Sequence, residues 1–212
     1  TISNLYLPAW NIKSLSIKSP YGTGKTQLTK KIIETFEPEK ILWLSFRKTL
    51  TNDLLGEAGF GEMGFKDYQK GEYNADRLII QVESGLKLQC LMDTTFDDDE
   101  VVKYPEYDLV IIDEIESILQ QFNSQFFQGK SKETFNFIQN ILINSNKILA
   151  LDGDMGNRAY SFLNNFGSGF HIVNNILLNP RKFIITGSDE TYSKKIFEDI
   201  SAGLKVAIVS MS

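Results

Sequence analysis

The segment Ser19-Pro-Tyr-Gly-Thr-Gly-Lys-Thr26 constrains this chain more than any other. Leu15-Ser-Ile17 precedes it as an alternating apolar stretch, and Leu28, Ile32, Ile33 and Phe36 follow at helical spacing. A loop of this composition works where a strand feeds directly into a helix, the repeating unit of a parallel sheet. Gly22 and Gly24 let the backbone curl around Thr23 so that successive N–H groups turn inward. The helix N-terminus adds partial positive charge behind them. Such a cradle fits a polyphosphate, with Lys25 within reach of its outer phosphates and the Thr26 hydroxyl placed for Mg²⁺. Ser19 stands where the common G-x-x-x-x-G-K-[ST] pattern begins with glycine. That position needs a small residue, and serine meets the need. The competing reading, a glycine-rich turn that binds nothing, fits poorly between a strand and a helix. The loop points to a nucleoside triphosphate.

A second segment, Asp108-Leu-Val-Ile-Ile-Asp-Glu114, is an apolar strand ending in two adjacent carboxylates. On a parallel sheet its carboxyl end falls beside the phosphate loop, where open α/β sheets bind ligands. Asp113 is then placed to hold Mg²⁺ opposite Thr26, and Glu114 to orient the attacking water. Alone, this pattern equally describes a strand end with solvated acids. Paired with the loop, it points to hydrolysis of the triphosphate, and the Glu after the Asp favours a hydrolase over a small-molecule kinase.

Strand-like and helical patterns alternate along the 212 residues, which predicts an α/β fold with a mostly parallel sheet and helices on both faces. Strands are expected at 14–18, 40–45, 77–82, 108–112, 147–151, 171–176 and 182–186. Helices are expected after the loop and at 48–56, 114–122, 131–144, 155–165 and 191–202. Residues 59–74, with four glycines, read as a loop. The stretch 204–212 reads as a strand with no helix behind it. It is expected to open a second domain after a first spanning 1–203.

Composition narrows the chemistry. Cys90 is the only cysteine and His171 the only histidine, which excludes an intrachain disulfide and argues against a zinc site or a Ser/His triad. The net charge of −5 does not advertise nucleic-acid binding, although a few local Lys and Arg suffice to contact phosphates. The acidic run at 97–100 reads as a solvated loop. No apolar run is long enough for a membrane span, so a soluble intracellular protein with no membrane partner is expected.

With both nucleotide motifs in view, the chain resembles the first RecA-like motor domain of superfamily 2 helicases. It is most similar to the viral, herpesvirus-type replication-origin-binding helicases. The loop is similar to that family's Ser-Pro-x-Gly-x-Gly-Lys-Thr. Leu42-Trp-Leu-Ser-Phe-Arg-Lys-Thr-Leu50 resembles motif Ia, Gln81-Val-Glu-Ser84 the element after the third strand, Asp113-Glu-Ile-Glu-Ser117 the Asp-Glu box, and Leu149-Ala-Leu-Asp-Gly-Asp154 motif III. The resemblance implies a RecA-like P-loop domain that binds ATP and Mg²⁺, with single-stranded nucleic acid, DNA before RNA, as partner in DNA replication. It implies Lys25 and Glu114 as catalytic residues, Ser19, Gly22, Thr23, Gly24, Lys25 and Thr26 around the nucleotide, and Thr26 and Asp113 at the metal. Arg47 and Ser84 become candidates for the nucleic-acid backbone. The alternatives are a surface salt bridge for Arg47 and a helix N-cap for Ser84. Asp152 and Asp154 either couple nucleotide state to domain movement or cap the next helix. Spacing hints at a calcium loop there, but Asn157 stands where glycine belongs and Leu163 where the bidentate Glu belongs. Tyr6, Leu7, Pro8 and Trp10 either stack on a base or pack on the surface.

The family supplies its arginine finger from a second motor domain, and no Gln-x-x-Gly-Arg-x-x-Arg element occurs here. The chain alone is therefore expected to bind nucleotide and turn it over poorly. Two other classes stay open. A small-molecule phosphotransferase would need an arginine-rich lid, yet only Arg47, Arg77, Arg158 and Arg181 are present. A nucleotide-switched binding module would have no need of the intact Lys25, Thr26, Asp113 and Glu114 set.

Overall fold

A computed structural model describes residues 12–95, 101–123, 129–175 and 188–203. The chain divides into two compact units, Thr1–Ile176 and Leu177–Ser212. In the first, β1 (Ser14–Lys18), β2 (Ile41–Ser45), β3 (Lys66–Asp67), β4 (Arg77–Gln81), β7 (Leu109–Asp113), β8 (Lys147–Asp152) and β9 (Gly169–Val173) form one sheet. Its order is β3-β4-β2-β7-β8-β1-β9, and each described pairing in it is parallel.

The period of two along each strand sorts the apolar residues onto two cores. Ile41, Trp43, Ile79, Leu109, Ile111, Leu149, Leu151, Leu15 and Ile17 face one side with Leu28, Ile32 and Ile33 of α1 (Lys25–Phe36) and Leu54 of α2 (Lys48–Leu55). The alternate residues Leu42, Leu44, Leu78, Ile80, Val110, Ile112, Ile148 and Ala150 face the other. There they meet α3 (Ile115–Gln121), α4 (Ser131–Asn144) and α5 (Asn157–Leu163). Each fully buried Leu or Ile contributes about 1.5–3 kcal/mol, which is why the central strands read as unbroken apolar runs.

Departures from expectation have local causes. The expected loop at 59–74 holds β3 and a 3-10 turn, Tyr68–Lys70. Tyr68 is buried and its hydroxyl donates to Gln81 Oε1 at 2.5 Å. Residues Val82–Leu91 form 3-10 turns, which lack the 3.6-residue period that reveals an α-helix. Gly85 lies there because a Cβ would stand 2.8 Å from Ile138 Cδ1 of α4. A short antiparallel hairpin, β5 (Asp93–Thr95) with β6 (Val101–Lys103), forms a separate sheet that the sequence did not announce. Residues 6–10, 97–100, 182–186 and 204–212 lie outside the described residues.

The second unit contributes one described helix, α6 (Asp189–Ser201), capped by Ser188, whose hydroxyl accepts from Thr191 N at 3.2 Å. Its Tyr192, Phe197 and Ile200 are exposed.

Candidate nucleotide site

The loop leaves β1 at Ser19 and enters α1 at Lys25. Gly22 (φ 74°) and Gly24 (φ 96°) both take left-handed backbone, which a side chain would strain. Gly24 is the N-cap of α1 and supplies no side-chain cap. Among the described residues, the N–H groups of Gly24, Lys25, Thr26 and Gln27 have no hydrogen-bond partner. Four unpaired donors at a helix N-terminus, with the dipole behind them, suit an anion. Lys25 Nζ is folded back onto Ser19 O at 2.8 Å and Pro20 O at 3.4 Å. Its charge therefore sits inside the loop, where a phosphate would replace two weak carbonyl acceptors. The Thr26 hydroxyl has no partner among the described residues.

The acidic pair is two strands away. β8 lies between β1 and β7, so the two halves of the site are separated by roughly 10 Å, two interstrand spacings. Asp152, at the end of β8, fills the middle and is buried at 3% exposure. Its main-chain oxygen accepts from Ser19 N (2.9 Å), its Oδ2 from Glu116 N (2.8 Å) and its Oδ1 from Asp154 N (2.7 Å). One residue thus ties the phosphate loop, the start of α3 and the turn after β8. Asp152 caps α3, not the helix that follows it. The N-terminus of α5 is capped by Glu116, whose Oε1 accepts from Gly156 N (2.8 Å) and Ala159 N (3.2 Å). Arg158 closes on Glu116 Oε2 at 2.7 Å. This cross-capping escaped sequence reasoning because its partners are 36 to 43 residues apart. Asp154 is solvated and pairs with Lys18 at 3.3 Å.

Three carboxylates so close perturb one another. Burial, then the charges of Glu114 and Asp152, push Asp113 up to about 7, partly opposed by Lys25. Burial and Asp152 also raise Glu114, while Lys25 and Arg47 oppose the shift. A divalent cation would relieve this repulsion. Among the described residues no group of three or more His, Cys, Asp and Glu is arranged to hold a metal unaided. Mg²⁺ commonly completes its shell with substrate phosphates and water, so Thr26 and Asp113 fit it on those terms.

Arg47 is the exposed N-cap of α2, and its guanidinium carbon lies 4.6 Å from the centre of the Phe46 ring. Among the described residues it makes no salt bridge, contrary to the alternative above. Ser84 is the third residue of the 3-10 turns after β4 and is not an N-cap, a position held by Gln81. Both lie just past the carboxyl ends of adjacent strands, β2 and β4.

Comparison with known proteins agrees with this architecture. Residues 10–178 match the family described as "Origin of replication binding protein". A protein of Acanthamoeba polyphaga mimivirus named as a replication origin-binding protein is 37% identical over 209 residues, 95% of this chain and 25% of that protein. The replication origin-binding protein of human herpesvirus 7 is 27% identical over 151 residues, 69% of this chain and 17% of its own length. The chain thus spans a quarter or less of these relatives. Among solved structures, a hypothetical ATP-dependent RNA helicase from Sulfolobus tokodaii superposes with a TM-score of 0.55 at 16% identity, covering 76% of this chain and 48% of that one. That likeness shows the RecA-like α/β fold. A family match over most of the chain, on a sheet of this order, settles the assignment: the chain belongs to the origin of replication binding protein family and folds as its helicase-like RecA domain.

Proposed function

We propose that this domain binds MgATP and hydrolyses it as the first half of a nucleic-acid-dependent motor, a DNA helicase acting in viral replication. The observation that carries the reading is the row of unpaired N–H donors from Gly24 to Gln27, with Lys25 turned into the loop and an acidic pair facing it across β8. Backbone groups from Gly22 to Thr26 and the ammonium of Lys25 hold the phosphates. Thr26 and Asp113 hold Mg²⁺, which when bound supplies charge neutralisation on the phosphates. Glu114 orients water and takes its proton. Arg47 and Ser84 contact the nucleic-acid backbone, fixing position without reading sequence. The other described arginines are committed elsewhere: Arg77 to Met63 O and Pro38 O, Arg158 to Glu116. A finger from a second motor domain would supply what they do not.

The test is ATP turnover by a protein extended through the following domain, with and without single-stranded DNA, beside Glu114→Gln. Stimulation by DNA that Glu114→Gln abolishes is expected. Turnover indifferent to DNA would keep the nucleotide site and discard the motor.

A further inference from the structure

Ser19 is buried at 0% exposure and Thr23 at 4%, and both hydroxyls are spent within the loop. Asn174 Nδ2 lies 2.8 Å from Ser19 Oγ, Ser19 Oγ lies 2.5 Å from Thr23 Oγ1, and Thr23 Oγ1 lies 2.6 Å from Pro20 O. Each hydroxyl has one proton. Pro20 O can only accept, so Thr23 donates to it and must accept from Ser19. Ser19, having donated, must accept from Asn174, whose amide nitrogen can only donate. The chain of bonds therefore has a single consistent direction, Asn174 to Ser19 to Thr23 to Pro20. Turning the Asn174 amide over would leave one buried link unmade.

Asn174 is itself fixed. It follows β9 immediately, and its own N–H donates to Lys18 O at 2.8 Å, continuing the β1–β9 ladder past the Lys18–Val173 register. Among the described residues its side chain is the only group from outside the loop that hydrogen-bonds to these two hydroxyls. A glycine at the first loop position would have no such bond to receive.

We infer that Asn174 is a positioning residue for the phosphate loop, acting through the Ser19 and Thr23 hydroxyls to hold the curl between Ser19 and Gly24 in its phosphate-ready shape. The inference rests on reading the loop as a nucleotide site. It makes Ser19 a working member of the loop and not merely a tolerated small residue. It also makes Asn174, the residue that follows β9 and stands two before the first compact unit closes at Ile176, a determinant of loop geometry.

The test uses the whole chain as wild type, Asn174→Ala, Asn174→Asp, Ser19→Ala and the double variant Ser19→Ala/Asn174→Ala. Two readouts are taken: amide hydrogen exchange, without any ligand, of Ser19 and Leu28, whose N–H groups donate to Asp152 O and Gly24 O at the two ends of the loop, and the affinity for a fluorescent ATP analogue with Mg²⁺. Loss of one hydrogen bond of this kind should raise loop exchange and weaken the analogue by about 3- to 10-fold in Asn174→Ala. Asn174→Asp, which can only accept from Ser19, should loosen the loop at least as much. The double variant should be no worse than Ser19→Ala, because the two residues act through one bond. Additive effects would overturn the inference, as would an Asn174→Ala loop exchanging like wild type or a tight loop in Asn174→Asp. Thermal unfolding of each variant separates a local change from a global one. If wild type fails to bind the analogue, the nucleotide reading fails, and the exchange comparison still decides the role of Asn174.

Discussion

Glu114 sits at φ 57°, ψ 56°, a left-handed conformation that costs a non-glycine residue on the order of 1 kcal/mol or more. The capping of Glu116 N by Asp152 and the β7–β8 register hold it there, so the strain is imposed by the fold. Glu114→Gly should raise the thermal midpoint by about 2–4 °C, the equivalent of roughly 1 kcal/mol for a domain of this size. In the extended protein it should abolish turnover. Glu114→Gln should abolish turnover without that gain. Asp113 gives a second prediction, in pH. Its carboxyl is raised to about 7, above the ordinary carboxylate value, so the folded state holds a proton that the unfolded chain has released. Its contribution is full below about pH 4 and is lost as the pH rises through 7. Thermal midpoints of the ligand-free protein should fall over that window, and Asp113→Asn should flatten the fall. The residues of the two motifs were legible in the sequence because their chemistry fixes residue type and spacing. Asn174 and Asp152 were not, because their roles depend on which strand lies beside which.

At the scale of elements, the central strands and α4 fell where periodicity put them. Residues 14–18 and 131–144 coincide with β1 and α4 residue for residue. The misses share a cause. β3 is two residues long, β5 and β6 three each, and the 3-10 turns of Val82–Leu91 have no amphipathic period to detect. The cross-capping between α3 and α5 supplies a prediction here. Burial alone would raise the Glu116 carboxyl, but the Gly156 N–H, the Arg158 guanidinium and the Ala159 N–H together hold it below its ordinary value. Its contribution is therefore present above the ordinary carboxylate range and lost as the pH falls through the lowered value. Glu116→Ala should cost about 1–2 kcal/mol, read by denaturant unfolding at neutral pH, as expected for loss of a helix cap. Glu116→Gln, which can still accept from Gly156 and Ala159, should cost less.

For the whole molecule, the parallel sheet with helices on both faces followed from the alternation of patterns. The order of its strands did not, since no local signal tells that β8 slips between β1 and β7. That order brings the loop and the acidic pair to the ends of nearby strands, while Arg77 and Arg158 are tied to other partners. The chain alone should bind MgATP yet turn it over about 10³–10⁵-fold more slowly than the extended protein, the range a finger is worth elsewhere. Comparable rates would refute this. Among the described residues no helix is long and apolar enough to cross a membrane. Nucleotide loading can be followed without an attached label. His171 is the chain's sole imidazole. Its Nδ1 lies 2.5 Å from Ser16 Oγ on β1, and its ring stands edge-on to Tyr160 of α5 at 4.7 Å. A proton magnetic resonance spectrum of the native protein would therefore carry one histidine signal pair, seated between the strand that leads into the phosphate loop and the helix that Glu116 caps. Titrating nucleotide against that signal would report loading from inside the fold.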